Sequence, residues 1–375
     1  MRTFDAVVVG GGPAGSTCAR RLVASGASVA VIDSARFPRD KCCAGWITPQ
    51  VVDVIGLDLN AYASRFTLQP IRGFVTSTIG ERPVTTRFPR IVSYAIRRYE
   101  FDHYLLECAG ATLVLGTPVR RIERVRDRWR IDDRVEAPML IGAGGQFCPV
   151  ARLLQPGRIT RPLVLAQELE VALDETDSCG WGVTDPELPE LFFSPDRLGY
   201  GWCVRKDAYI NVGYGHFACA DFQARVSEFK AHLESNRRHI AVTRRAWPGH
   251  AYHVYAGSLS GVVADGALLV GDAAGLADAT SGEGILRAVE SGAMAADTIV
   301  AGGGRRDAQA LLPYAEAFRA RYGKPPRIPA ARNRPATGAL AAIGRHLLRS
   351  PWFTRKVLLE RWFLHQSLAG LKAES

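Results

Sequence analysis

One stretch near the start of the chain, DAVVVGGGPAGSTCARRLVASGASVAVID (residues 5–33), limits the possible folds more than any other. A β-branched run at 6–9 leads into glycines at 10, 12 and 15, a helical segment follows at 13–25, and a second apolar run ends on Asp33. Strand, glycine turn, helix and strand in this order make a βαβ unit, which requires a parallel sheet. Gly10 permits the tight turn, Gly12 lets the backbone approach a pyrophosphate, and Gly15 lets helix and strand pack closely. The helix N-terminus then faces the phosphates, where unpaired N–H groups and the peptide dipoles favour negative charge. Asp33, at the end of the second strand, is placed to accept hydrogen bonds from an adenosine ribose. A dinucleotide is expected, of a kind this unit alone does not choose.

Three later segments narrow the choice. SYAIRRYEFDHYLLECA (93–109) has the form Arg-x-x-Phe-Asp-x-x-Leu through Arg98, Phe101, Asp102 and Leu105. APMLIGAGGQFCPVARLL (137–154) is an apolar strand running into a glycine turn. GALLVGDAAGLADATSGEGILRAVESGAMAAD (266–297) reads as a buried strand ending at Gly271–Asp272, a loop, and then Gly282-Glu283-Gly284 opening an alanine-rich helix. An aspartate at a strand's carboxyl end suits a polyol hydroxyl, and a glycine-led helix N-terminus stabilises negative charge.

In this order and at these separations, the four motifs resemble the flavoprotein superfamily with the p-hydroxybenzoate hydroxylase fold. Within it, RDKCCAGW (39–46), GAGGQFCPVAR and GDAAGLADATSGEGI are most similar to the geranylgeranyl reductase family, over roughly residues 1–300. The resemblance implies FAD held by Gly10, Gly12, Ala14 and Gly15, with Asp33 on the ribose, Arg98 toward the pyrophosphate and the backbone near Val119 at the adenine. It also implies Asp272 on the ribitol, and Gly282, Gly284 and Ile285 beside the flavin ring. The loop Lys41-Cys42-Cys43-Ala44-Gly45 matches a family loop that reaches the isoalloxazine, so Cys43 and Ala44 should face the flavin. Cys43 then either packs against the ring as a small polarizable side chain or supplies a proton. Cys42 reads as packing, and a disulfide between such neighbours is geometrically strained.

Several positions depart from the wider superfamily. Gly144 stands where many NAD(P)H-dependent hydroxylases carry an aspartate, Ala279 replaces a proline common beside the flavin, and no Trp-x-Trp-x-Ile-Pro stretch occurs, CGWGVTDPELPEL (179–191) being the nearest. These differences speak against an aromatic hydroxylase and a halogenase. The segment 195–217 alternates as an antiparallel sheet would, with a turn near Lys206–Asp207. Tyr200 and Trp202 within it either line an apolar cleft above the flavin or are ordinary sheet aromatics, while His103 and His216 read as structural.

Composition closes off other classes. With 375 residues, 47% of them hydrophobic, the chain can bury a large core. Its formal charge of +10 carries no nucleic-acid motif. Eight Lys or Arg against two Glu lie from residue 330 onward, so +6 of that charge is local to the tail. Trp352, Phe353, Trp362 and Phe363 among those cations suit either an anionic membrane surface or a helix covering the FAD domain. The eight cysteines never form C-x-x-C, so no metal site is expected. The absence of a signal peptide points to the cytoplasm, with peripheral contact at the inner face of the membrane as an option.

The expected architecture is α/β: a Rossmann-like FAD domain from 1–60, 95–155 and 260–300, an interleaved, mostly antiparallel substrate sheet from 61–94 and 156–259, and C-terminal helices over 301–375. The expected activity is FAD-dependent reduction or dehydrogenation of a carbon–carbon bond in an apolar, isoprenoid-like substrate, by hydride transfer through flavin N5. NAD(P)H, ferredoxin or another flavoprotein would be the electron donor. An FAD monooxygenase acting on a small natural-product precursor and a membrane-docking flavin electron carrier are the alternatives.

Overall fold

The parallel sheet demanded by the first motif has six strands. A computed structural model, which describes residues 1–156, 161–173, 185–236, 240–323, 346–368 and 370–371, orders them Val263–Ala264, Ala267–Leu269, Met139–Gly142, Ala6–Val9, Val29–Ile32 and Thr112–Val114. All neighbours are parallel except the short edge strand Val263–Ala264. Val7, Val8, Val31, Leu140, Ile141 and Leu268 are fully buried, as a sheet covered on both faces requires. Each such side chain contributes roughly 1.5–3 kcal/mol by leaving water.

Helix Pro13–Ala24 follows the first strand, with Gly12 as an extended N-cap and proline at its first position. Helix Ile285–Ala301 lies against it. A Cβ on Gly292 would stand 2.3 Å from the Ala14 carbonyl oxygen, and one on Gly271 2.9 Å from the Ala14 Cβ. The small residues of GDAAG and ESGAMAA therefore let a strand end and two helices converge on Ala14.

The second large sheet has seven strands, ordered Gly249–His253, Leu163–Ala172, Tyr209–Phe217, Gly199–Lys206, Glu190–Phe193, Gly73–Thr78 and Val84–Arg87. It is antiparallel apart from the pairing of Glu190–Phe193 with Gly73–Thr78. The expected turn falls at Asp207, with φ +55. Alternation along Gly199–Lys206 sends Cys203 toward Phe229 and Leu233 of helix Phe222–Ser235, and Trp202 and Val204 toward the opposite face. A three-stranded sheet of Trp46–Ile47, Ser93–Ile96 and Leu68–Ile71 joins the two layers.

Helix Ala308–Tyr322 closes the end of the parallel sheet through Leu311, Tyr314 and Phe318, and the Tyr314 hydroxyl donates to the Leu269 carbonyl at 2.8 Å. The tail bridges the two layers. Pro351–Phe353 and the wider π-helical Thr354–Phe363 dock mainly on the antiparallel sheet and also touch the FAD domain: Leu358, Leu359 and Phe363 pack with Phe74 and Trp202 of the sheet and with Trp46, and Gln50 Nε2 donates to the Leu364 and His365 carbonyls. The driving force is aromatic surface that the sheet would otherwise expose. Phe363 is thereby lost to any membrane face, whereas Trp352 stays 68% exposed. Residues 324–345, including KPPRIP, and the first part of CGWGVTDPELPEL lie outside the described residues.

Candidate active site

A cavity of about 570 Å³ separates the two large sheets. Gly10, Gly12, Ala14, Asp33, Cys43, Ala44, Arg98, Val119, Asp272, Gly282, Gly284 and Ile285 all line it. Gly15 does not: its Cβ would fall 1.9 Å from the Gly10 carbonyl oxygen, so its task is the close packing of helix on turn. Gly10 has φ +114, with the Ala143 carbonyl oxygen 2.3 Å from a built Cβ, and tolerates no side chain. A Cβ on Gly12 meets nothing nearer than Arg39 Nη2 at 3.5 Å, which leaves the backbone open to the cavity.

The dinucleotide end is built from fixed charges. The Gly11 and Ala35 N–H groups donate to the two Asp33 oxygens at 2.7 and 2.8 Å and hold the carboxylate on the wall. Arg98 donates to both oxygens of Asp102 at 2.6 and 2.8 Å, and Arg39 reaches the same carboxylate at 3.1 Å. Burial works against the Arg98 charge, but Asp102 and then Cys43 outweigh it and raise its pKa. Arg39 Nη1 is buried without a hydrogen-bond partner among the described residues, beside Gly12 and a helix N-terminus whose N-cap makes no side-chain bond. An unmet guanidinium donor at such a terminus fits a pyrophosphate.

Asp272 occupies a short turn, Gly271–Ala273, directly after its strand, and its carboxylate accepts no hydrogen bond from any described residue. Gly284 is the N-cap of helix Ile285–Ala301 and brings no side chain of its own, although Glu283 Oε1 accepts from the Leu286 N–H in the first turn. A Cβ there would lie 3.6 Å from Asp272 Oδ1. A free carboxylate beside the glycine-led start of a helix suits a polyol joined to a ring that gains negative charge, as FAD is. FAD would thus be held by Asp33, Arg39, Arg98 and Asp272, and the residues present fit it.

At the other end, the loop of Cys42–Gly45 rests on a buried polar bed. The Cys43 N–H donates to Glu168 Oε1 at 2.6 Å, the Gly45 N–H approaches the Cys43 sulfur at 3.4 Å, and Asn211 Nδ2 reaches the Cys43 carbonyl at 3.5 Å. Below the loop, Lys206 Nζ donates to Glu170 at 2.6 Å and leaves no space for a side chain at Gly45. Burial lifts the Glu168 carboxyl to about 7 against the pull of Lys206. Trp46, Ala166, Tyr200, Trp202 and Tyr252 make the rest of this end aromatic and apolar. Tyr200 and Trp202 stand 5.9 Å apart, and the Tyr200 hydroxyl donates to the Ser281 carbonyl at 2.5 Å. Cys42 and Cys43 are free thiols. His216 is buried on Asp196 at 3.1 Å, and His103 pairs with Glu107 at 3.3 Å, both away from the cavity.

Several cavity groups escaped the sequence reading. His250 accepts from Lys41 Nζ at 2.6 Å, and burial followed by the charges of Lys41, Arg98 and Arg39 depresses its pKa to about 3, so it is neutral. Burial also lowers Lys41, against the attraction of Asp272. The Tyr252 hydroxyl lies where a Cβ on Gly282 would be 2.6 Å away, and burial keeps it protonated. Burial raises Glu283 to about 7 despite the Leu286 N–H that donates to it. Glu283 Oε2 has no partner. The one available signal was alternation in GHAYH (249–253), which puts His250 and Tyr252 on one face of a strand.

A Rossmann-type sheet that carries these groups, under an antiparallel sheet with an aromatic floor, defines an FAD-dependent oxidoreductase. The family of NAD(P)-binding Rossmann-like domains matches residues 8–56. The chain is 30% identical to the menaquinone reductase of Mycolicibacterium smegmatis, over 80% of this chain and 77% of that one. It is 28% identical to digeranylgeranylglycerophospholipid reductase 2 of Methanothermobacter thermautotrophicus, over 86% and 84%. A solved geranylgeranyl bacteriochlorophyll reductase-like structure from Thermoplasma acidophilum shares the fold with a TM-score of 0.68, at 21% identity over 93% of this chain and 88% of that one. The chain belongs to the geranylgeranyl reductase family of FAD-dependent oxidoreductases.

Proposed function

We propose that this enzyme reduces or dehydrogenates a carbon–carbon bond in an apolar, isoprenoid-like substrate. The observation that carries the reading is the character of the cavity beyond the Cys43 loop: Trp46, Ala166, Tyr200, Trp202 and Tyr252 surround it with apolar surface and neutral hydroxyls. The named substrates of the two relatives, a menaquinone and a digeranylgeranylglycerophospholipid, both carry polyprenyl chains. Bound FAD supplies hydride transfer.

This chain's residues supply the setting. The aromatic walls exclude water, the bond from Tyr200 to the Ser281 carbonyl orients that ring, and the Cys43 thiol or the Tyr252 hydroxyl delivers the proton. NAD(P)H bound transiently, ferredoxin or another flavoprotein provides electrons. Trp352, 68% exposed beside Arg349 and Arg355, offers a contact for the inner face of the cytoplasmic membrane.

The test is anaerobic bleaching of the bound flavin with NADPH or dithionite, followed by mixing with a polyprenyl lipid or with air. Rapid return of the yellow colour with lipid in the absence of oxygen, together with a saturated product, supports the reading. Re-oxidation by air alone, with an oxygenated small-molecule product, replaces it with a monooxygenase.

A further inference from the structure

Glu168 is an expensive residue to bury. Only 6% of it is exposed, its Oε2 has no hydrogen-bond partner among the described residues, and its Oε1 is committed to the N–H of Cys43. An apolar residue at this position would avoid the cost of a half-satisfied carboxyl. Nearby, Glu170 does the opposite: it takes Lys206 at 2.6 Å and Arg97 at 2.8 Å, so the available cations are spent on one of the two carboxyls.

From this geometry we infer that Glu168 is a positioning residue for Cys43, a carboxyl whose gain or loss of a proton tightens or loosens the loop carrying the thiol. The inference rests on the reading that Cys43 faces the reacting groups. Its physical basis is that a hydrogen bond to an ionised acceptor is roughly twice as strong as one to a neutral acceptor. Burial places the carboxyl near 7, with Lys206 and the Cys43 N–H favouring the ion and Glu170 opposing it. The charged or titratable neighbours are Lys206, two strands across the sheet, Glu170 on its own strand, and Cys42 and Cys43 on the loop; the Asn211 amide on the intervening strand also favours the ion. On the Gly249–His253 strand, His250 faces the cavity and is neutral beside Lys41. Below about 7 Glu168 is protonated and grips Cys43 weakly; above it, the carboxylate grips the N–H and places a negative charge beside the thiol.

The experiment follows iodoacetamide labelling of Cys43 in the FAD-loaded protein from pH 5.5 to 8.5, with tandem mass spectrometry separating it from Cys42. It needs no substrate, so its result is independent of the lipid re-oxidation test. Glu168→Gln, which keeps an acceptor but no charge, should label at the wild-type rate at pH 6 and about fivefold faster at pH 8.5. FAD occupancy should stay full in both proteins. A rate ratio that does not change with pH overturns the inference. If the variant does not fold, the wild-type protein decides: its labelling curve should show a second inflection near 7 in addition to the thiol's own, and a single inflection overturns the inference.

Discussion

Asp272 is the residue most open to a direct test, because its carboxylate lines the cavity with no donor among the described residues to satisfy it. Asp272→Ala should weaken FAD by about 10- to 100-fold, the loss of charge-assisted hydrogen bonds. Equilibrium dialysis or the 450 nm absorbance of purified protein measures this, and full yellow occupancy would refute the ribitol assignment. The proton source separates two other residues. Tyr252 stays protonated through burial. If it is the donor, Tyr252→Phe should slow lipid-driven re-oxidation about 100-fold while Cys43→Ser leaves it nearly unchanged. The reverse pattern assigns the proton to Cys43, and slowing in neither variant removes both. His250 marks what local sequence could not convey. Its neutrality comes from burial first and then from Lys41, a residue far away in the chain, and nothing around HAYH announces either.

At the scale of elements, the legible parts were those in which the backbone itself carries the constraint. The βαβ unit, the strand ending at Gly271–Asp272 and the turn at Gly282 that leads into helix Ile285–Ala301 are each defined by glycines whose absent side chains the fold requires, so spacing alone located them. Gly292 extends the argument. Its Cβ would meet the Ala14 carbonyl oxygen at 2.3 Å. Gly292→Ala should therefore force two helices apart and cost about 1–3 kcal/mol in denaturant unfolding. An unchanged midpoint would mean that the packing is looser than described. The docking of the Thr354–Phe363 segment was illegible for the opposite reason: its basic, aromatic composition suits a membrane, a helix or a sheet equally well. Phe363 touches Tyr200, Phe193 and Trp46, with ring centroids 5.4, 6.1 and 6.2 Å away. Phe363→Ala should cost about 3–5 kcal/mol. It should also slow lipid turnover more than it weakens FAD, since the wall it supports belongs to the apolar end.

Over the whole molecule, buried titratable groups set opposing pH dependences. His250, depressed to about 3, contributes stability that is present above the unfolded value of about 6.5 and declines as pH falls toward 3. Glu168 and Glu283, both raised to about 7, contribute stability present below the unfolded carboxyl value and lost as pH rises toward 7. Glu283→Gln should thus raise the Tm at pH 8 by an amount worth a few kcal/mol, on the order expected for shifts of this kind, and leave it nearly unchanged at pH 4. A gain of equal size at both values would show that the carboxyl does not titrate as described. The order of strands in the parallel sheet has one more consequence. Ala6 sits opposite Met139, and Leu140 opposite Ala267, so the two walls that hold a dinucleotide come from the beginning and the last third of the chain. During synthesis the glycine turn emerges first with its neighbour Val29–Ile32, gains Met139–Gly142 later, and meets the wall carrying Asp272 and Gly284 only after a further stretch of more than a hundred residues, on the order of seconds of synthesis, has been made. Long-range closures of this sort are slow. Flavin capture is therefore a late event, and quenching of flavin fluorescence should trail the recovery of secondary structure when the chain refolds.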